Sequence, residues 1–291
     1  MPPYKKQHFL PAAYLKYFSD DQTICNRKSW VYRFDGDIER RVPVDSQCFE
    51  DYFYSKEKAA EIEQYFNHSE TIYCDFVDKV RAGIEPSRKH FGDLFLFMVD
   101  LSLRNAIHKN SIGQEELEAY QVRINFFYQV ILLGRAPKDV SIAKIRDHIA
   151  SHWRLEIFSA PRDFKFATSD NPSLFATCRQ SINGRSQLQL ILVPLDPSNL
   201  AVAFDKRFLS IPLAPLTGLD VQRINASQII NAESCIYGCQ ALSDNDKENV
   251  RNAFLTRPEA VSEVTPLGWR SYMNYIPPSF LSFVTINPPL F

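Results

Sequence analysis

The sequence predicts an α+β fold: a helical middle packed against a β-rich second half, with an N-terminal β-hairpin and closing C-terminal helices. Three observations carry that expectation. The hydrophobic period changes along the chain, from alternation to roughly 3.6 residues and back. A tight-turn dipeptide, Asp35-Gly36, separates two strand-like runs near the start. The remaining strand-like runs are clustered after residue 152, not alternated with helices, which points away from a βαβ array.

Taken in order, HFLPAAYLKYF at 8–18 predicts a short helix that Pro11 can begin. SWVYRF, the turn DGD and IERRVPV form the hairpin, with glycine supplying the left-handed backbone a tight turn needs. From Tyr54 the apolar positions Ile62, Tyr65, Phe66, Ile72, Phe76 and Val80 follow a helical period, and Gly83 fits a C-terminal cap. RKHFGDLFLFMVDLSLRNAIH is apolar nearly all round, as a buried central helix is. Two more helices are expected, near Gln114–Leu133 and Lys138–Ala150. HWRLEIFSA, DFKFATSD, SQLQLILVPL and NLAVAF then read as strands, and Asn225–Tyr237 and Asp244–Leu255 as helices, Asn225 serving as an N-cap. The chain 1–291 is expected to form one domain with a proline-containing C-terminal extension over 256–291.

Composition narrows the function. Net charge is −1, from 33 basic and 34 acidic residues, which lacks the basic excess of a protein held on DNA by many phosphates. The aromatic content, 22 Phe and 13 Tyr, is expected to fill the core. None of the six cysteines forms a C-x-x-C pair; Cys235 and Cys239, four apart, read as buried small side chains. The first residues lack the apolar run of a signal peptide, and no stretch is long and apolar enough to span a bilayer. A cytoplasmic setting with reduced thiols and no membrane partner is the expectation. There is no phosphate-binding G-x-x-x-x-G-K-[ST], no G-x-G-x-x-G, no H-E-x-x-H, no G-x-S-x-G elbow and no Cys/His set with zinc spacing. His148 and His152 lie four apart without a third ligand, and read as cations at a helix end.

Three constellations stand out: His8-Phe9-Leu10-Pro11 with Tyr14-Leu15; Trp153 followed by Thr168-Ser169-Asp170-Asn171-Pro172; and VPLDPSNLAVAF followed by Asn225. In this order and spacing they resemble a mostly bacterial family catalogued as domain of unknown function 4238. The resemblance spans about residues 8 to 240, and Thr-Ser-Asp-Asn-Pro is its specific element. Two departures occur: Ala12 stands where members carry Gln, and Arg104-Asn105-Ala106 where they often carry Arg-Thr-Pro. The resemblance imports no established activity, but it marks which residues to follow.

His8, of a residue type whose pKa lies nearest neutrality, suits a general base or a metal ligand, the alternative being a capping or packing histidine with one backbone partner. Asp170 and Ser169 sit on a stiff turn at a strand end, where sites are often built, although Asp and Asn also turn a chain through their own backbone bonds. Arg104, in a buried helix, needs an anion; Asp100 one turn earlier, a substrate phosphate or carboxylate, or Asp170 are the candidates. The expected catalytic set is therefore His8, Arg104, Asp170 and Ser169, with Asn171, Tyr14 and Trp153 contacting substrate. A base, a cation and a carboxylate suit phosphoester or nucleotide chemistry, directly or through a divalent metal. The leading expectation is a hydrolase or transferase on a phosphate-containing substrate, nucleic acid or nucleotide, such as a nuclease acting as a bacterial toxin or antiphage effector. The alternative is a non-catalytic binding or regulatory module with a protein or small-molecule partner.

Overall fold

The computed structural model describes residues 6–21, 26, 28–53, 56, 59–87, 90–104, 142–177, 189–212, 214–255, 274–275 and 281–287. Strand β1 (Lys6–His8) leads through Pro11 into helix α1 (Ala12–Leu15), which tightens into a 3₁₀ turn at Lys16–Phe18. The hairpin follows as β2 (Trp30–Phe34) and β3 (Glu39–Pro43), antiparallel, with Gly36 at φ +95°. A short strand, β4 (Phe49–Asp51), returns to pair with β1.

Helix α2 (Ala59–Arg81) ends ahead of Gly83, whose φ of +69° supplies the left-handed cap that its sequence position predicts. Helix α3 (Phe91–Leu103) is the buried central helix: Leu94, Phe95, Phe97, Met98, Val99 and Leu101 all lie inside. Helix α4 (Ile142–His152) runs directly into β5 (Trp153–Ser159). The helix expected at 114–133 lies outside the described residues.

The second half carries β6 (Thr168–Ser169), β7 (Leu174–Thr177), β8 (Leu190–Pro194), β9 (Asn199–Asp205) and β10 (Leu209–Ser210). After these come helix α5 (Gly218–Asn231), β11 (Ile236–Gly238), helix α6 (Asp244–Leu255), β12 (Asn274–Tyr275) and β13 (Thr285–Ile286). A five-stranded sheet has the order β12-β7-β8-β9-β5, and a four-stranded sheet the order β3-β2-β11-β6. The N-terminal hairpin is thus extended by β11, from the far end of the family-like region, with β6 beyond it, which explains why the ends of that region must fold together.

Alternation places the two cores. Ile191, Val193, Ala201 and Ala203 face α1, α2 and α3, while Leu190, Leu192, Leu200 and Val202 face the opposite side, under α5 and the tail. Because both faces are covered, β8 reads as a continuous apolar run, LILVP. Leu281, Phe283 and Val284 join the second core, so these extension residues dock on their own chain. This is the α+β arrangement expected, with helices from the middle of the chain against a β-rich second half.

Two expectations are corrected. The segment read as a helix from Asn225 to Tyr237 begins earlier, at Gly218, and its last residues form β11 instead. Its N-cap is Thr217, which forms a capping box with Asp220, so Asn225 lies within the helix. The reason is tertiary: no Gly or Pro interrupts Asn225–Tyr237, and pairing of Ile236–Gly238 with β2 ends the helix where local sequence does not.

Candidate functional site

The Thr168–Pro172 segment crosses the molecule as a buried strand end. All four of Thr168, Ser169, Asp170 and Asn171 are at least 98% buried. Helix α5 clamps it through one polar stripe, Asn225, Gln228 and Asn231, spaced three apart so that they share a face. Asn225 Oδ1 accepts the Ala167 N–H, and its amide donates to the Lys165 carbonyl, both at 2.9 Å. Ser169 Oγ donates to Gln228 Oε1 (3.0 Å), and Gln228 Nε2 donates to the Pro172 carbonyl (2.7 Å). Asn171 and Asn231 exchange amide-to-carbonyl bonds at 3.1 and 2.6 Å.

Asp170 is held by the chain that follows the helix. Its carboxylate accepts the N–H of Glu233 (2.7 Å), the N–H of Ser234 (2.8 Å), the Ser234 hydroxyl (2.7 Å) and the Cys235 thiol (3.6 Å). Burial pushes its pKa above the usual carboxylate value, against the lowering effect of these four donors. The carboxylate thus fixes the turn between α5 and β11.

Tyr14 draws the three sequence constellations together. Its hydroxyl donates to the Pro194 carbonyl (2.8 Å), so its bond with Thr168 Oγ1 (2.7 Å) is donated by the threonine. Tyr73 braces the same hairpin by donating to the Leu195 carbonyl (2.7 Å), and Asp196 caps it by accepting the N–H groups of Ser198 and Asn199. Tyr14 is completely buried, and its phenol is held protonated by that burial.

The other expected site residues lie elsewhere in this frame. Arg104 is 2% exposed, pairs with Glu70 at 2.9 Å, stacks 3.8 Å over Phe66 and donates to the His8 carbonyl at 3.0 Å. Its ion-pair partner is Glu70, not Asp100, whose carbonyl receives the Arg104 main-chain N–H. Phe66 and Glu70 are four apart on α2, which is why one helix face provides both the ring and the carboxylate. Arg104 therefore meets His8 through the main chain, while the His8 ring contacts Phe49 across the β1–β4 pair and lies 3.4 Å from the Asp45 carbonyl. Contacts to Asp170 come from residues 233–235. Trp153 packs edge-on against Phe95 and lines a cleft of about 580 Å³ with Phe91, Ile149 and Leu155.

Across the four-stranded sheet the register makes one row that sequence reasoning missed. Arg40 lies opposite Arg33, Arg33 opposite Tyr237, and Tyr237 opposite Thr168. Side chains directly opposite one another point to the same face. The row passes from two arginines at the open edge, through a buried phenol, to the Thr168 hydroxyl that holds Tyr14. Over it lies a cleft of about 410 Å³ lined by Arg33, Arg40, Ser46, Gln47, Cys48 and Tyr237, among others. Ser234 and Cys235, the Asp170 partners, also border this cleft.

Electrostatics at the floor are set by burial. The Cys48 thiol and the Tyr237 phenol are both pushed up by desolvation and so stay neutral. Both Cys48 Sγ and Cys235 Sγ bond the Tyr237 hydroxyl, at 3.0 and 3.2 Å. Burial works against the Arg33 charge, but bonding to Cys235 and nearby acidic groups raises its pKa overall. Asp35 lies 3.5 Å from Arg33 and offsets part of the charge, its own pKa lowered first by the Ile38 N–H. Arg33 and Arg40 had no direct sequence signal: counting outward from the DGD turn sets Arg33 opposite Glu39, and only the four-residue loop 35–38 brings Arg40 opposite it. Cys235 and Tyr237 had one only if 235–238 is read as a strand.

Among the described residues, no group of three or more His, Cys, Asp or Glu is placed to hold a metal ion. No helix among them is long and apolar enough to cross a membrane. Fold and site together define an α+β protein with a buried polar clamp beneath a two-arginine cleft. The family model described as "Protein of unknown function (DUF4238)" matches residues 6–241, and the chain belongs to that family. No curated protein and no solved structure matches it.

Proposed function

We propose that the protein is a binding module for a small phosphate-bearing ligand of nucleotide size, held in the cleft over β2, β3 and β11 by Arg33 and Arg40. The observation that carries this reading is the pairing of two arginines directly across adjacent strands. Like charges at such positions repel, and a single Asp35 beside Arg33 answers only part of that repulsion. A phosphate oxygen pair between the guanidinium groups supplies the missing negative charge and matches their fork geometry. A cleft of about 410 Å³ suits a small molecule more than a duplex. Free thiols at Cys48, Cys74, Cys235 and Cys239 accord with a reducing cytoplasmic setting, where such ligands are plentiful.

A hydrolytic or transfer step has weaker support. Asp170 spends its carboxylate on four donors, and Cys48 and Tyr237 are held neutral. Nothing observed favours a nuclease, toxin or antiphage role over simple binding.

The test is titration calorimetry with AMP and with inorganic pyrophosphate at low salt. Wild-type protein is expected to bind, and Arg33→Gln/Arg40→Gln to bind roughly tenfold more weakly or worse. Removing two opposed like charges should leave the melting temperature unchanged or raised, which separates lost binding from lost folding. No binding by the wild type, or equal binding by the double variant, overturns the proposal.

A further inference from the structure

We propose that Cys48 and Cys235 are an oxidisable thiol pair, closed to a disulfide by a hydroperoxide entering the cleft. The two residues are remote in sequence but adjacent in space. Each sulfur bonds the same Tyr237 hydroxyl, at 3.0 and 3.2 Å, which places them within about 6 Å of one another, near enough for small side-chain movements to join them. Both border the open cleft, so a small oxidant has a path to them. Cys48 has a φ of +50°, a left-handed conformation that disfavours a residue with a Cβ, so its thiol is aimed at the floor by the surrounding structure against local preference.

The roles differ because the surroundings differ. Cys235 Sγ donates to the Asp170 carboxylate (3.6 Å), a built-in acceptor for its proton, and shares the cleft with the Arg33 guanidinium. Cys48 is buried against the Tyr237 phenol, bonding that neutral hydroxyl and not a carboxylate, and its thiol stays protonated. Cys235 is therefore the attacking sulfur and Cys48 the resolving one. In the first step Cys235 sulfur, passing its proton to the Asp170 carboxylate, attacks one peroxide oxygen: an S–O bond forms, the O–O bond breaks, and the leaving alkoxide or hydroxide takes that proton. In the second, Cys48 sulfur attacks Cys235 sulfur: the S–S bond forms, the S–O bond breaks, and the hydroxyl leaves as water with the Cys48 proton. Two electrons pass from the thiols to the peroxide. This inference does not depend on a phosphate ligand.

The experiment treats the full chain with hydrogen peroxide, alkylates remaining thiols under denaturing conditions, and maps peptides by mass spectrometry without reduction. The expected product links the Cys48 peptide to the Cys235 peptide, with the free-thiol titre down by two. In Cys48→Ser, a dimedone adduct should accumulate at Cys235, because no resolving thiol remains. The wild-type map alone decides the matter if that variant folds poorly. Linkage of other cysteines, or oxidation elsewhere while Cys48 and Cys235 remain alkylated, overturns the proposal.

Discussion

Burial and hydrogen bonding pull Asp170 in opposite directions, and burial wins. Its folded pKa lies above the unfolded value of about 3.8, so the protonated acid is favoured by folding. The sign follows: this group's contribution to stability is fully present below the unfolded pKa and is lost as pH rises through the folded pKa. Asp170→Asn removes the titration but turns an amide donor toward the N–H groups of Glu233 and Ser234, which should cost about 1–3 kcal/mol. The stability gap between wild type and Asp170→Asn, measured by urea melts, should be widest near pH 4 and narrow toward neutrality. A gap that widens with pH would mean that the four donors outweigh desolvation. At this scale the sequence singled out Asp170 but not its role: an Asx-type turn and a site carboxylate call for the same residue. The missing information was the partner, since Glu233 and Ser234 lie more than sixty residues away. Arg104 teaches the same lesson, its charge being answered by Glu70 from another helix.

Elements here are fixed by side-chain clamps between them as much as by their own propensity. Helix α5 is the clearest case, with Asn225, Gln228 and Asn231 stitching the 165–173 segment along one face. Gln228→Leu should leave the Ser169 hydroxyl without its acceptor and the Pro172 carbonyl without the Gln228 donor, lowering stability by roughly 2 kcal/mol. Hydrogen exchange would localise the effect, with protection lost first at Ser169, Asn171 and Ser173 while α3 stays protected. Uniform loss across both cores would argue that the clamp is not local. The hairpin, α2, α3 and α6 were legible because period and turn chemistry agree there. Helix α5 was misplaced by seven residues at its start because Thr217 and Asp220 make a capping box that lacks the Glu or Gln of the usual signature. The polar stripe Asn225, Gln228 and Asn231 stands at spacing three in the sequence, but reading Asn225 as a cap conceals it as a partnered face.

On the scale of the whole molecule, the family-like region closes on itself: β11, near its end, joins the hairpin near its start, and Tyr14 ties β6 of the same sheet to the end of β8. That closure buries the most recognisable residues and leaves less recognisable ones, Arg33 and Arg40, at the surface of the cleft. The Thr-Ser-Asp-Asn-Pro segment therefore builds the floor of the proposed site from below. The most direct measurement is a crystal of the full chain soaked in tungstate, a phosphate mimic visible by anomalous scattering. An anomalous peak between Arg33 and Arg40, above Tyr237, is the predicted result. An empty cleft, with tungstate bound at the 580 Å³ cleft beside Trp153 or nowhere at all, would contradict it.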